Sequence, residues 1–237
     1  MQNVDIYSLE LDAPQPDAAR IVSPGELARA SRFRFDRDRR RYLNCRAKLR
    51  EILACYVNRA PERIEFRTNA YGKPSTSHVF FNVSHSHDFA MIAVSRTREV
   101  GIDVERIDEK FMRDNIAGRF FSPREIAELN AVPAADRTQA FFNCWTRKEA
   151  YVKARGLGLS LALSSFDVTL TPGAPAKFLR GAGNWSIEAI EAKAGYAAAV
   201  VAYGFDPPSP STKAASDALN LSGLSIIRKC PEPSHVS

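Results

Sequence analysis

Val100-Gly101-Ile102-Asp103-Val104-Glu105 alternates β-branched residues with small or acidic ones, so a period of two puts Asp103 and Glu105 on one face of a strand. About forty residues further on, Trp145-Thr146-Arg147-Lys148-Glu149-Ala150-Tyr151-Val152-Lys153-Ala154-Arg155-Gly156 reads as a helix. Its stripe Phe142, Trp145, Glu149, Val152 follows i, i+3, i+4 spacing and carries one acid in an otherwise apolar face. A buried lone carboxylate costs several kcal/mol, so Glu149 needs a cation, a proton or water. If the helix crosses the strand, three acidic groups converge. Hard oxygen ligands with open positions suit Mg²⁺, and Mn²⁺ accepts the same donors.

Outward from this pair the chain reads as two rounds of one order. The spacing predicts a strand over Val4 to Leu11 and a helix opening at Ser23-Pro24-Gly25-Glu26, with Ser as N-cap and Pro at the first helical position. A long basic helix follows from Arg37 to Val57, then a strand over Arg63 to Thr68 and a turn at Tyr71-Gly72-Lys73-Pro74. Phe80 to Val83 and Phe89 to Ser95 read as a hairpin around Ser84-His85-Ser86-His87-Asp88, and the acidic strand closes the first half. The second half offers helices over Pro123 to Leu129 and Thr138 to Arg155, and strands over Ser165 to Leu170, Trp185 to Ala192 and Tyr196 to Tyr203. Leu43-Asn44-Cys45 is echoed by Phe142-Asn143-Cys144, and Phe89-Ala90-Met91-Ile92-Ala93-Val94 by Tyr196-Ala197-Ala198-Ala199-Val200-Val201. The expectation is an α+β fold of two similar α/β halves related by pseudo-two-fold symmetry, residues 1–105 and 106–205, with the site in the cleft between them. Pro207-Pro208-Ser209-Pro210-Ser211 breaks the pattern, and 206–237 reads as a flexible polar tail with room for one short helix.

The chain has 237 residues, 45% hydrophobic and 25% charged, the balance of an ordinary soluble protein with a sizeable core. No stretch approaches the roughly 18 apolar residues of a membrane helix, and the first residues lack a signal peptide's basic start and apolar run, so a cytoplasmic location is expected. Cys45, Cys55, Cys144 and Cys230 show no ligand spacing and read as reduced packing thiols. The net charge of +6 is concentrated between Arg32 and Arg50, where nine basic residues face only Asp36 and Asp38. That run favours a polyanionic ligand or an acidic partner, and it keeps a nucleic-acid-binding reading of residues 32–50 in play.

Asp103 and Glu105 also fit the solvent face of an edge strand, and Glu149 with Lys153 fits an ordinary i, i+4 ion pair of about 0.2–0.5 kcal/mol. Asn82-Val83-Ser84-His85 admits a Ser/His nucleophile pair, a His85/His87 metal pair or a phosphate-binding turn. Adjacent Ser and His side chains do not readily form a triad and no G-x-S-x-G elbow is present, so hydrolase chemistry of that kind is disfavoured. Two histidines without a third ligand make a poor transition-metal site. No Gly-rich phosphate loop occurs, and Phe33, Phe35 and Tyr42 serve as well to seat the basic helix as to stack bases. A metal-dependent phosphohydrolase using the same acids is a further alternative.

Taken jointly, Gly72-Lys73-Pro74, Phe81-Asn82-Val83-Ser84-His85-Ser86, Gly101-Ile102-Asp103-Val104-Glu105 and Trp145-x-x-Lys148-Glu149-Ala150-x-x-Lys153-x-x-Gly156 closely resemble the Sfp-type 4'-phosphopantetheinyl transferases. The resemblance spans roughly residues 5 to 205. It implies Mg²⁺-dependent transfer of the phosphopantetheine arm of coenzyme A to a serine of an apo carrier protein, releasing 3',5'-phosphoadenosine. The family's metal ligands fall on Asp103, Glu105 and Glu149, and its coenzyme A contacts on Lys73, Ser84, His85 and Lys153. Arg41 falls where the family holds coenzyme A phosphates, and Arg29 corresponds by spacing to a basic residue near the adenosine 3'-phosphate. The catalytic expectation is Glu149 as base, directly or with a metal-bound water in that role, with Asp103 and Lys153 beside the diphosphate. Carriers of fatty acid, polyketide, peptide or siderophore synthesis, a role in secondary metabolism and a monomeric state are implied with it. His87, Asp88, Leu157 and the tail beyond Tyr203 carry no assigned role.

Overall fold

The computed structural model describes residues 3–113, 115–204 and 224–228. The chain runs β1 (Asp5–Glu10), α1 (Ala18–Ile21), α2 (Pro24–Ala30), α3 (Asp36–Val57), β2 (Arg67–Thr68), β3 (Pro74–Ser75), β4 (Phe80–Ser86), β5 (Phe89–Ser95) and β6 (Val100–Arg106). It continues with α4 (Glu109–Arg113), α5 (Ile116–Phe120), α6 (Pro123–Ala131), α7 (Arg137–Arg155), β7 (Asp167–Val168), β8 (Phe178–Arg180), β9 (Trp185–Ala189), β10 (Tyr196–Tyr203) and β11 (Leu224–Arg228). One antiparallel sheet has the order β11-β1-β5-β4 and the other β6-β10-β9.

The molecule is layered helix, sheet, sheet, helix. Alternation along each strand makes this possible, because both faces of both sheets are apolar. Tyr7, Leu9, Ile92 and Val94 pack under Cys45, Leu49 and Leu53 of α3. Ile6, Met91 and Ala93 meet Ile102, Val104 and Val200 between the sheets. Ala199 and Val201 turn the other way, toward Phe141, Ala150, Tyr151 and Ala154 of α7.

The pseudo-two-fold relation is explicit in this arrangement, since β1-β5-β4 and β6-β10-β9 have the same strand order. Each half also has a helix that begins with a complete capping box and a proline in its first turn: Ser23 and Glu26 on α2, Ser122 and Glu125 on α6. Both glutamates are buried and ion-paired to the long helix of their half, Glu26 to Arg46 and Arg50 and Glu125 to Lys148. Ser23/Ser122, Glu26/Glu125, Asn44/Asn143 and Cys45/Cys144 all stand 99 positions apart.

Three sequence expectations change. β6 hydrogen-bonds along its length to β10, so the boundary expected after Glu105 falls inside the second sheet. A period of two identifies the faces of a strand and is silent about its neighbours. Leu224–Arg228, expected within a loose tail, adds to the outer edge of β1, where the backbone would otherwise lack partners. β4 continues through Ser84, His85 and Ser86 to a two-residue turn at His87-Asp88, with His87 in the left-handed region. Ser84 and His85 are therefore strand residues, not turn residues.

Candidate active site

The site grows from the contact of α7 with β6. A Cβ on Gly101 would lie 2.2 Å from the Ala150 carbonyl oxygen and 2.3 Å from the Ala154 nitrogen, so only glycine lets the helix rest directly on the strand. The rotation of α7 is set on its far side. Lys148 is fully buried, donates to the carbonyls of Leu163 (2.7 Å) and Phe166 (2.8 Å), and pairs with the equally buried Glu125 at 2.7 Å. With Lys148 held there, its neighbour Glu149, about 100° further round, and Lys153, one turn on, turn toward β6 and β4.

Asp103 is buried and shares one oxygen, Oδ1, with two donors: the Ser84 hydroxyl at 2.8 Å and the Lys153 ammonium at 2.5 Å. Lys153 also donates to Ser84 Oγ at 2.8 Å. The i, i+4 reading of Lys153 with Glu149 thus gives way to a pair with Asp103, because the strand brings a more deeply buried carboxylate within reach. Asp103 Oδ2 is buried with no hydrogen-bond partner. Burial first, and then the Asp103 charge, lift Glu105 to about 7 against the opposing Ser86 hydroxyl. The same two causes raise Glu149 above the ordinary carboxylate range, partly offset by Lys153.

Three carboxylates in electrostatic range, one ammonium and one orphaned carboxylate oxygen make a site short of positive charge. Among the described residues no three metal-ligating side chains stand arranged around a cation position. Lys153 supplies the countercharge to Asp103 instead. The donor set is nevertheless all oxygen and includes an unsatisfied acceptor, which fits a hard divalent ion.

Beside the acids lies a cleft of about 1780 Å³ walled by Arg29, Phe33, Arg37, Arg41, Tyr42, Arg46, Arg59, Arg63, Phe66, Arg67, Val83, His85 and His87. His85 joins the two regions: desolvation and then the charges of Lys153 and Arg29 lower its imidazole below the usual value, with Asp103 opposing. Arg29 lies over the Tyr42 ring at 5.4 Å. Arg41 is held at the rim by both carboxylate oxygens of Asp12, at 2.7 and 2.5 Å. Lys73 is placed differently. Its ammonium donates to the Ala154 carbonyl (2.7 Å), the Val100 carbonyl (3.3 Å) and Glu99 (2.9 Å), tying the Gly-Lys-Pro turn to α7 and β6, while Gly72 and Pro74 face the cleft.

Several residues escaped sequence reasoning. Arg46 and Arg50 count toward the basic run, yet both clamp Glu26, and Arg46 also covers the Phe66 ring at 4.4 Å. The repeated Ser-Pro-x-Glu signature was the signal that could have found Glu26 and Glu125. Asp88, left without a role, accepts from Lys193 (2.7 Å) and Tyr196 (2.5 Å) and so ties the β4–β5 turn to the turn between β9 and β10. Arg59, Arg63 and Arg67 reach the cleft from the segment that runs from the end of α3 into β2, a placement that no local pattern reports.

Two family profiles match this chain: the 4'-phosphopantetheinyl transferase superfamily over residues 99–201, and the N-terminal region of 4'-phosphopantetheinyl transferase over 15–97. The chain is 38% identical over 211 residues to the 4'-phosphopantetheinyl transferase HetI of Nostoc sp. (strain PCC 7120), covering 85% of this chain and 88% of that protein. It is 33% identical over 173 residues to the 4'-phosphopantetheinyl transferase Sfp of Bacillus subtilis, covering 70% and 76% respectively. Among solved structures, a holo-(acyl-carrier-protein) synthase from Bacillus anthracis aligns over 44% of this chain and 94% of its own, with TM-score 0.39 and 19% identity. Neither HetI nor Sfp is named as a nucleic-acid-binding protein or a phosphohydrolase. No helix among the described residues is long and apolar enough to cross a membrane. The coverage of both halves and the similarity to HetI along most of the chain make this a member of the Sfp-type 4'-phosphopantetheinyl transferase family.

Proposed function

We propose that this chain transfers the 4'-phosphopantetheine arm of coenzyme A to a serine hydroxyl of an apo carrier protein, with Mg²⁺ or Mn²⁺ required, as a cytoplasmic monomer. The observation that carries the reading is the junction of an arginine-lined cleft with an acid cluster centred on the buried Asp103, joined through His85. The cleft exceeds the roughly 300–1,000 Å³ of a drug-sized pocket, which suits a nucleotide with a long pantetheine arm. Arg29, Arg41 and His85 are assigned to the phosphates of coenzyme A, and Arg41 would exchange Asp12 for that anion. Ser84 and Lys153 are assigned to the diphosphate, and Lys73 to holding the turn that borders it.

Asp103, Glu105 and Glu149 are the residues that would hold the divalent ion. When bound, the ion supplies positive charge against the diphosphate. Glu149 is assigned as base, because burial and the Asp103 charge raise its carboxyl above the ordinary carboxylate range and so make it a better proton acceptor. The serine oxygen forms a bond to the β-phosphorus as its proton passes to Glu149, and the bond from that phosphorus to the departing 3',5'-phosphoadenosine breaks. Lys153 neutralises charge developing on the leaving oxygen. The partners are acyl or peptidyl carriers of fatty acid, polyketide, peptide or siderophore synthesis, with secondary metabolism the expected setting.

Incubating the chain with an apo carrier, coenzyme A and Mg²⁺ should add the mass of one phosphopantetheine arm to the carrier. Asp103→Ala and Glu149→Ala should abolish the gain while circular dichroism stays unchanged. Transfer that survives either substitution or chelation of divalent ions would sink the assignment.

A further inference from the structure

β6 has two edges. One pairs with β10, and the other faces β4, with which it shares no backbone ladder among the described residues. There the N–H groups are received by side chains from alternate positions of β4. Ile102 donates to Asn82 Oδ1 at 2.9 Å, Val104 to Ser84 Oγ at 3.3 Å and Arg106 to Ser86 Oγ at 3.1 Å. All three acceptors are buried, and the opposite face of β4 presents Val83 and His85 to the cleft. At the end of the same edge the Val100 carbonyl accepts from Lys73. The two sheets are thus joined by side-chain rungs where a continuous sheet would use its backbone.

The rungs bracket the acids. Asp103 lies between the Ile102 and Val104 bonds, and Glu105 between those of Val104 and Arg106. A shift of β6 against β4 would carry both carboxylates with it, and a slip of one residue would turn them to the other face. The Ser84 rung touches Asp103 and the Ser86 rung also reaches the Glu105 carboxylate, whereas Asn82 holds only the backbone. Asn82 has no contact with the cleft.

Resting on the transferase reading above, we propose that Asn82 and Ser86 are positioning residues: with Ser84 they form a side-chain seam between the halves that sets Asp103 and Glu105 against the cleft. Asn82 and Ser86 act on the chemical step and leave the capture of coenzyme A to Ser84, His85 and the arginines, because neither of the two lines the cleft.

The test compares the full chain with Asn82→Ala, Ser86→Ala and Ser86→Thr by amide exchange in NMR and by carrier loading. Asn82→Ala should lower protection of the Ile102 amide about ten- to a hundredfold, and Ser86→Ala that of Arg106, with amides paired to β10 changed by less than about threefold. The kcat for loading should fall about tenfold or more in both, with KM for coenzyme A within about threefold of wild type, since small displacements of reacting groups act on the chemical step. Ser86→Thr keeps the hydroxyl and should restore both readouts. Uniform loss of protection across both sheets, a raised KM at unchanged kcat, or Ser86→Thr no better than Ser86→Ala would each overturn the proposal. A wild-type chain that loads no carrier defeats the transferase reading, and the catalytic part of this inference with it. Normal kcat in the variants of an active wild type defeats this inference alone.

Discussion

Replacing Lys148 by methionine separates what this residue does from where it stands in the chain. It sits in the motif next to Glu149, yet its ammonium lies wholly inside the protein, on Glu125 and on two backbone carbonyls. Methionine keeps the length and deletes the charge. Glu125 would retain the N–H groups of Ser122 (2.8 Å) and Val168 (2.9 Å) but lose its cation. Breaking a buried pair by removing one partner costs about 3–5 kcal/mol. For a chain of this size each kcal/mol moves the midpoint by about 2–4 °C, so Lys148→Met should melt roughly 6–20 °C below wild type. The paired change Glu125→Gln with Lys148→Met removes the stranded charge and should recover part of that loss. Calorimetry measures both, and loading assayed well below the melting point should stay within about threefold of wild type, because the side chain does not touch the acids and the close seating of α7 on β6 at Gly101, with its apolar face on β10, keeps the helix's rotation without it. A melting point within about 2 °C of wild type, a double variant no better than the single, or abolished loading in an equally stable protein would refute the reasoning.

Gly101→Ala should prevent α7 from seating on β6, giving insoluble protein or a loss of stability above about 3 kcal/mol, measured by denaturant unfolding, since overpacking against rigid backbone has no flexible neighbour to absorb it. Lys153→Met should leave Asp103 without its countercharge, so the variant melts lower without metal and gains more from added Mg²⁺ than wild type does; equal gains by thermal shift would argue against a shared cation position. Hydrogen bonds from Lys193 and then Tyr196 hold the Asp88 carboxyl well below the usual carboxylate range. A depressed carboxyl stabilises above its unfolded value and loses that contribution as pH falls, so Asp88→Asn should melt lower than wild type from pH 8 to 5 and the gap should close below 3.8. As Asp88 is partly exposed, the gap corresponds to under about 1 kcal/mol. The KM for coenzyme A should rise with ionic strength, because the arginines lining the cleft act partly at long range, and a KM indifferent to salt would speak against the cleft.

Most helices and strands were legible because their signals are local. α3 and α7 end within a residue or so of where periodicity and caps put them, and β10 matches end for end. The shared face of Asp103 and Glu105 follows from alternation alone, and the lone acid in the Trp145 stripe already declared a need for compensation. Partner choice was not legible. Lys153 goes to Asp103, Lys73 to backbone carbonyls, and Arg46 and Arg50 to Glu26, each partner lying 20 or more positions away in the chain. Side-chain period specifies a face, charge count specifies an average, and neither contains a distance between elements. Alone, the sequence determined the elements, their apolar faces, the doubled order and the acids that face one way. Only the tertiary structure decided that β6 belongs to the second sheet, that β4 supports it through side chains, and which cation meets which acid, because those outcomes depend on long-range packing and on the cost of leaving a buried polar group unpaired.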